Sequence, residues 1–197
     1  MKKVRVGVLI SGRGSNMMAI VEAARAAEYP ADIICVVSNR PDAAGLNFAA
    51  SHGIATKVID HKAFATREDF DAALNDYLQS QNLDLIACAG FMRILTPALI
   101  AAWQGRMINI HPSLLPAYKG LHTHERALAD GARIHGCTVH FITNELDGGP
   151  TILQAEVPVK PGDTPDTLAA RVLKQEHRIY PQALAMVARK LQANTST

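Results

Sequence analysis

The sequence has little of what marks secreted, disulfide-stabilised or membrane proteins. Only three of its 197 residues are cysteine. Three is an odd number, and Cys35 and Cys88 lie in apolar runs, which predicts reduced, partly buried thiols in a cytoplasmic protein. The longest apolar stretches are about eight residues, well short of the ~20 that cross a bilayer. Arg5 interrupts the first of these stretches and no small-residue cleavage site follows, so we expect no signal peptide.

An excess of charge of either sign is also missing. Twenty Lys and Arg face 18 Asp and Glu, which gives a formal net charge of +2. This balance gives no reason to expect nucleic acid or an anionic membrane as a partner. The apolar fraction of 48% is that of an ordinary globular protein, and the length suits one domain, residues 1–197.

Apolar runs alternate with amphipathic ones through the first two-thirds of the chain. The runs predict strands over residues 4–10, 33–37, 54–59, 83–89 and 107–110. The amphipathic segments predict helices over 16–28, 43–52, from Thr66 to about Gln81, and from Thr96 onwards. Continuous apolar strands separated by helices indicate a doubly wound, mainly parallel, Rossmann-like α/β sheet that is covered on both faces.

The pattern changes after residue 111. A proline-rich loop and a helix over 123–130 precede two strands, 138–143 and 152–157, which we expect to form an antiparallel pair beyond the parallel region. A long helix over 164–191 follows, with a bend expected near Pro181. Residues 194–197 form a polar tail.

A glycine-rich segment, Ser11-Gly12-Arg13-Gly14-Ser15-Asn16, separates the first strand from the first helix. Backbone N–H groups at a helix start favour anions, and glycines let a phosphate approach closely. A dinucleotide fingerprint is incomplete, because position 17 is Met and no acidic residue ends the second strand. The segment is therefore either a monophosphate cradle or a simple turn.

Two polar features follow later strands. Asn109 and His111 end the fifth strand on one face, roughly 6–7 Å apart. Asp147 precedes Gly148-Gly149-Pro150 in the turn between the late strands. The simplest interpretation makes all three loop and turn residues. If Asp147 reaches His111, however, its carboxylate favours a protonated imidazole, which beside an amide donor can stabilise an oxyanion.

Other chemistries find less support. His122 and His124 have no third ligand at suitable spacing, so we expect no metal. Ser113 lies in a proline-rich turn, and the chain has no Gly-x-Ser-x-Gly elbow.

Several motifs occur together in a characteristic order. They are residues 11–16, Gly90-Phe91-Met92-Arg93-Ile94-Leu95, Asn109-Ile110-His111-Pro112-Ser113-Leu114-Leu115-Pro116, Gly120-Leu121-His122-Thr123-His124 and Glu145-Leu146-Asp147-Gly148-Gly149-Pro150. From Val4 to about Leu191 the chain resembles the phosphoribosylglycinamide formyltransferases, folate-dependent enzymes of de novo purine synthesis. The Asn-x-His-Pro motif is shared by related formyl-folate enzymes, whereas the first and fourth motifs narrow the resemblance.

The resemblance implies a substrate set and a residue set. Gly14, Ser15 and Asn16 would hold the ribotide phosphate, and Glu176 the sugar hydroxyls. The formyl folate would meet the residues Arg67, Met92, Arg93, Ile94, Leu95, Asn109, Thr143, Asn144, Glu145, Leu146 and Asp147, with Arg67 facing the folate carboxylates.

The resemblance also implies a reaction. Asn109, His111 and Asp147 would catalyse direct transfer of a formyl group from 10-formyltetrahydrofolate to glycinamide ribonucleotide, without a metal, in a cytoplasmic monomer or homodimer. Residues from about 1 to 110 would form a phosphate-binding half, and residues from about 111 to 197 a folate-binding and catalytic half. Arg13 and Leu173 depart from residues expected in the family, which bears on substrate contacts and not on the reaction.

Two alternatives stay open at this stage. The first alternative is another formyl-folate enzyme. A tRNA formyltransferase would need an additional C-terminal RNA-binding domain, and a formyl-folate hydrolase would usually carry an N-terminal regulatory domain. A non-catalytic module for phosphate ligands would explain the glycine loop but not the ordered recurrence of Asn109, His111 and Asp147.

Overall fold

The computed structural model describes residues 2–194 and contains a seven-stranded mixed sheet. Of the predicted tail, residues 195–197 lie outside the described residues. The strands are β1 (Val4–Ile10), β2 (Ala31–Ser38), β3 (Ala55–Val58), β4 (Leu85–Cys88), β5 (Met107–His111), β6 (Ile134–Phe141) and β7 (Thr151–Pro158).

The strand order is β3-β2-β1-β4-β5-β6-β7. Strands β1 to β5 pair in parallel, while β6 is antiparallel to both β5 and β7. The order reverses direction between β1 and β4, so the connections leaving these two strands diverge and open a crevice at their carboxyl ends. The predicted doubly wound sheet with a late antiparallel pair is confirmed.

Six α-helices cover the sheet in residues 2–194, together with one 3-10 turn at His61–Ala63. They are α1 (Ser15–Ala24), α2 (Gly45–Ser51), α3 (Arg67–Ser80), α4 (Pro97–Ala102), α5 (Thr123–Ala129) and α6 (Pro165–Asn194). Thr66 and Thr96 cap α3 and α4, each accepting a hydrogen bond from the backbone N–H three residues on. The predicted long C-terminal helix is α6, which continues through Pro181 without interruption.

Two separate cores sandwich the sheet. Phe70, Leu74 and Trp103 of the α3–α4 side fill one face, and Met17 and Tyr180 of the α1–α6 side fill the other. The Tyr180 hydroxyl donates to the Cys88 carbonyl at 2.7 Å, which satisfies a backbone acceptor at the end of β4. The three cysteines are free and buried, as predicted. Within residues 2–194, no helix combines the length and apolarity that a bilayer span requires.

Two element boundaries differ from the sequence prediction for identifiable reasons. Helix α1 ends at Ala24 and not near residue 28, because the chain turns toward Pro30, whose carbonyl accepts from Val4 N, and a residue before proline disfavours helix. Strand β6 begins at Ile134 and not at Thr138. Gly136 interrupts the apolar pattern there, yet a Cβ at that position would overlap the Ala155 carbonyl oxygen, so the close approach of β7 requires glycine.

A histidine pair, His124 half-buried and His135 buried, joins α5 to β6. His124 Nδ1 lies 3.1 Å from His135 Nε2, a distance that needs one donor and one acceptor. Burial lowers the pKa of both rings, that of His135 to about 4. The pair is therefore neutral in the folded protein around pH 7.

Acid should destabilise the fold through this pair. Between pH 6.5 and about 4 the unfolded chain protonates His135 while the folded chain does not. The free energy of unfolding then falls as pH falls, by about 1.4 kcal/mol per pH unit from this group, and the effect vanishes above pH 6.5. Urea unfolding at pH 7, 6 and 5 measures it. His135→Gln should flatten the dependence, whereas the exposed control His122→Gln should not, and equal slopes in all three proteins would contradict this account.

Candidate active site at the carboxyl edge of the sheet

Three adjoining cavities occupy the crevice where β1 and β4 diverge. The loop cavity, about 470 Å³, is lined by residues 11–16 together with Asn39, Arg40, His61, Ala89, Gly90, Met92 and Arg93. The central cavity, about 430 Å³, is lined by Asn16, Gly90, Phe91, Met92, residues 109–112, residues 120–125 and Glu176. The hairpin cavity, about 130 Å³, is lined by Cys88, Phe91, Arg93, Ile94, Leu95, Ile100, Asn109, His140 and residues 142–147. Shared wall residues make them one continuous cleft.

The glycine loop has a conformation that only glycine adopts without strain. Gly14 precedes α1 with φ 72°, in the left-handed region. A Cβ at Gly14 would lie 3.0 Å from Met17 Cε and 3.3 Å from Gly45 Cα. Helix α2 packs directly behind the loop, since Gly45 N donates to the Gly12 carbonyl at 3.1 Å. The loop is thus held open toward the loop cavity, with the N–H groups of the first turn of α1 available to an anion.

Asn16 and Glu176 come together between the loop cavity and the central cavity. Asn16 Nδ2 donates to Glu176 Oε2 at 2.7 Å, and both side chains are buried. Burial raises the pKa of Glu176, while the hydrogen bond from Asn16 opposes the rise. Asn16 Oδ1 is buried without a hydrogen-bond partner in the protein. A ligand that donates hydrogen bonds would satisfy it.

His111 and Asp147 meet at the bottom of the cleft. His111 Nδ1 lies 3.4 Å from Asp147 Oδ2, and the two side chains are 8% and 9% exposed. His111 Nε2 donates to the Tyr118 carbonyl at 2.9 Å. Both ring nitrogens therefore face oxygen atoms, Nδ1 that of Asp147 and Nε2 that of the Tyr118 carbonyl. The contact between His111 and Asp147 that the sequence left open is present.

The backbone around Asp147 explains how a turn residue reaches this position. Asp147 has φ 49°, a left-handed conformation that Asp tolerates better than most residues. At Gly149 a Cβ would overlap the Phe141 carbonyl oxygen, so the hairpin closes only with glycine there. Gly120 N donates to Asp147 Oδ2 at 2.9 Å, which ties the proline-rich loop to the hairpin.

Asn109 has a partner that sequence reasoning missed. Asn109 Nδ2 lies 3.4 Å from His140 Nε2, and His140 Nδ1 donates to the Phe141 carbonyl at 2.9 Å. Burial lowers the pKa of His140, so Nε2 is an unprotonated acceptor that orients the Asn109 amide. Asn109 and His140 are register partners of β5 and β6. Only the pairing of those strands could have revealed the contact.

Most of the sequence-predicted residues line the cleft. Arg93, Ile94, Leu95, Asn109 and residues 143–147 line the hairpin cavity. Met92 lines the loop and central cavities instead. Arg67 begins α3 at the exposed surface and lines none of the three cavities. Cys88, Phe91, Ile100 and Ile142 add an apolar lining that the sequence did not single out.

Arg13 lies where extra charge can reach an anion, because it lines the loop cavity. Leu173 is half-buried on α6 and lines none of the three cavities. In residues 2–194, no group of three or more His, Cys, Asp or Glu side chains is arranged to hold a metal ion.

Comparisons with known proteins find relatives of this chain in both sequence and structure. The family model described as formyl transferase matches residues 4–184. The chain is 49% identical over 185 residues to the phosphoribosylglycinamide formyltransferase of Escherichia coli (strain K12), covering 94% of this chain and 87% of that protein. The crystal structure of the phosphoribosylglycinamide formyltransferase from Brucella melitensis superposes with a TM-score of 0.91 at 51% identity, covering 95% of this chain and 96% of that one.

Larger relatives contain the same unit as one part. The trifunctional purine biosynthetic protein adenosine-3 of Bos taurus is 48% identical over 187 residues, which are 95% of this chain but 18% of that protein. This chain thus spans about a fifth of the length of those relatives. Matches that cover nearly the whole chain lead to one conclusion: the chain belongs to the formyl transferase family.

Proposed function

We propose that this protein transfers the formyl group of 10-formyltetrahydrofolate to the primary amine of glycinamide ribonucleotide. The products would be formylglycinamide ribonucleotide and tetrahydrofolate, in de novo purine synthesis. One observation carries the proposal: His111 faces Asp147 at 3.4 Å, beside Asn109, at the junction of two cavities. The printed names of the relatives support the same reaction.

The ribotide fits the loop and central cavities. Its phosphate would accept hydrogen bonds from the backbone at Gly14, Ser15 and Asn16, with the start of the ten-residue helix α1 favouring negative charge. Its sugar hydroxyls would donate to Glu176 and to the unpartnered Asn16 Oδ1. The glycinamide amine would then extend through the central cavity toward Asn109 and His111.

The folate would bind at the hairpin cavity, with its pterin ring innermost. The pterin ring would lie against Arg93, Ile94 and Leu95 on one side and residues 143–147 on the other. Asn109 lines both this cavity and the central one. The formyl carbon would therefore meet the amine at Asn109. In this structure Arg67 reaches the folate carboxylates only if the tail of the folate extends out of the hairpin cavity to the start of α3.

The amine attacks the formyl carbon, and the carbonyl oxygen becomes an oxyanion. One N–H of the Asn109 amide is directed to His140, which leaves the second N–H for this oxygen. Because Nε2 is held by the Tyr118 carbonyl, the Nδ1–H of His111 would be the donor, shared between the oxyanion and Asp147 Oδ2 at 3.4 Å. As the tetrahedral intermediate collapses, the C–N10 bond breaks, N10 takes up a proton and the attacking amine loses one. Asp147 stabilises the charged imidazole and can position a water that carries the proton.

The same proposal assigns the protein to the cytoplasm, which the three free, buried thiols support. It involves no covalent intermediate on the protein.

Removing the charge of Asp147 should slow transfer far more than it weakens binding. Asp147→Asn keeps the side-chain shape and an oxygen for Gly120 N but cannot stabilise the imidazolium, so kcat should fall by about 10²–10³-fold. His111→Ala should have a comparable effect. Steady-state kinetics with both substrates measures this. Asp76→Asn, an exposed carboxylate on α3, is the matched control. A kcat for Asp147→Asn within threefold of wild type would refute the catalytic role.

Adding a branched side chain at position 14 should weaken ribotide binding. Gly14→Val places a branched side chain against Met17 and Gly45 and into the loop cavity. We expect KM for the ribotide to rise more than tenfold while KM for the folate changes little. Gly53→Val is the control, because Gly53 also has φ 72° but faces open space away from the cleft. Equal ribotide KM values in the two variants would argue against the phosphate cradle.

Following the folate absorbance separates the proposed reaction from its rivals. Transfer requires both substrates, a hydrolase would consume formyl folate alone, and a binding module would do neither. If formyl folate is consumed at the same rate without ribotide, the protein is a hydrolase and the transferase proposal is wrong.

A further inference from the structure

Ser11 connects three strand ends through one buried hydroxyl. It follows β1 and is 6% exposed. Its hydroxyl donates to Asn39 Oδ1 at 2.6 Å, and its oxygen accepts from Met92 N at 2.8 Å. Asn39 follows β2 and is 3% exposed. The hydroxyl therefore links the segments that leave β1, β2 and β4.

The acceptor side of this link is itself held in place. The Asn39 carbonyl accepts from His61 Nδ1 at 2.8 Å, so the 3-10 turn fixes the backbone of Asn39. The Asn39 amide oxygen is thereby positioned to accept the hydrogen bond from the Ser11 hydroxyl. The Ser11 oxygen in turn accepts from the backbone N–H of Met92. Because both hydrogen bonds are fixed, the hydroxyl has one orientation rather than several.

The segment that Ser11 holds carries the wall of the hairpin cavity. Residues 92–95 run between two side-chain anchors, Ser11 at Met92 N and Asp71 at Thr96 N, the latter at 2.6 Å. Arg93, between the anchors, lines both the loop cavity and the hairpin cavity. The position of this wall therefore depends on Ser11 at one end and on α3 at the other.

The segment on the other side of Ser11 is the glycine loop. Gly14 follows Ser11 by only three residues, so an anion that orders the backbone at residues 12–16 also restricts Ser11. From this geometry we infer that Ser11 is a positioning residue that couples occupancy of the loop cavity to binding in the hairpin cavity. The inference rests on the proposed function, since it takes the first cavity as the phosphate site and the second as the folate site. By linkage the coupling is reciprocal: each ligand tightens the other by the same factor.

Alanine at position 11 would break this coupling while leaving the backbone N–H groups of the glycine loop in place. It removes the partner of the Met92 amide and of Asn39 Oδ1 together, so the wall at residues 92–95 is no longer tied to the glycine loop. Ser38→Ala is the matched control. Ser38 is a buried serine at the end of β2, but its hydroxyl bonds stay with Arg40 N and O in the next turn.

Calorimetric titration of tetrahydrofolate, with and without saturating inorganic phosphate, tests the inference without turnover. In the wild type and in Ser38→Ala we expect phosphate to tighten tetrahydrofolate binding by about fivefold, at the low end of typical coupling. In Ser11→Ala the factor should fall below twofold, whatever the affinity of that variant for each ligand alone. A merely structural role would weaken binding of each ligand and leave the factor unchanged.

The outcomes are separable. Absence of coupling in the wild type, or wild-type coupling in Ser11→Ala, overturns the inference. Should Ser11→Ala fail to fold, Asn39→Ala removes the acceptor that orients the hydroxyl and is expected to lose coupling likewise, whereas wild-type coupling there overturns the inference. Failure of the proposed function would appear elsewhere, as a wild-type protein that does not transfer formyl groups.

Discussion

The carboxylate of Asp147 is the interaction on which the arrangement of the cleft depends. It is nearly buried, and a buried carboxylate is stable only where donors and positive charge surround it. Gly120 N supplies a donor at 2.9 Å, and His111 lies on its other side. Asp147 and these two partners come from three separate stretches of the chain. One negative charge thus draws the proline-rich loop, the end of β5 and the late hairpin together, and each of them lines the cleft.

The sheet provides the frame in which that charge can act. The reversal of strand order between β1 and β4 leaves a crevice, and the antiparallel addition of β6 and β7 turns the hairpin back over it. Asn109 lies on the wall between the central and hairpin cavities, and Arg93 on the wall between the loop and hairpin cavities. Two ligands bound in such a cleft would share protein groups, which is what a direct transfer between them requires.

The parallel core was predictable because its strands are continuous apolar runs bounded by turns, as Val4–Ile10 illustrates. The start of β6 was not, because Gly136 is explained only by its contact with β7. His140 was missed for a similar reason: its role depends on cross-strand register with Asn109, which local periodicity does not encode. Tyr118 contributes a carbonyl oxygen, and no side-chain pattern indicates a backbone acceptor. The roles of the predicted site residues stay predictions, and Arg67 lies outside the three cavities because it begins α3 at the exposed surface.

The hydrogen bond from His111 Nε2 to the Tyr118 carbonyl restricts the paths by which a proton can reach or leave the ring. A histidine with both nitrogens free can accept on one side and release on the other, and so pass protons inward through the protein. In this structure Nε2 is engaged by a carbonyl oxygen, so Nδ1 is the nitrogen that faces Asp147. In the proposed reaction, a proton leaving the imidazole would therefore depart on the side of Asp147 and the cleft, where substrates filling the cleft would control its exchange with water.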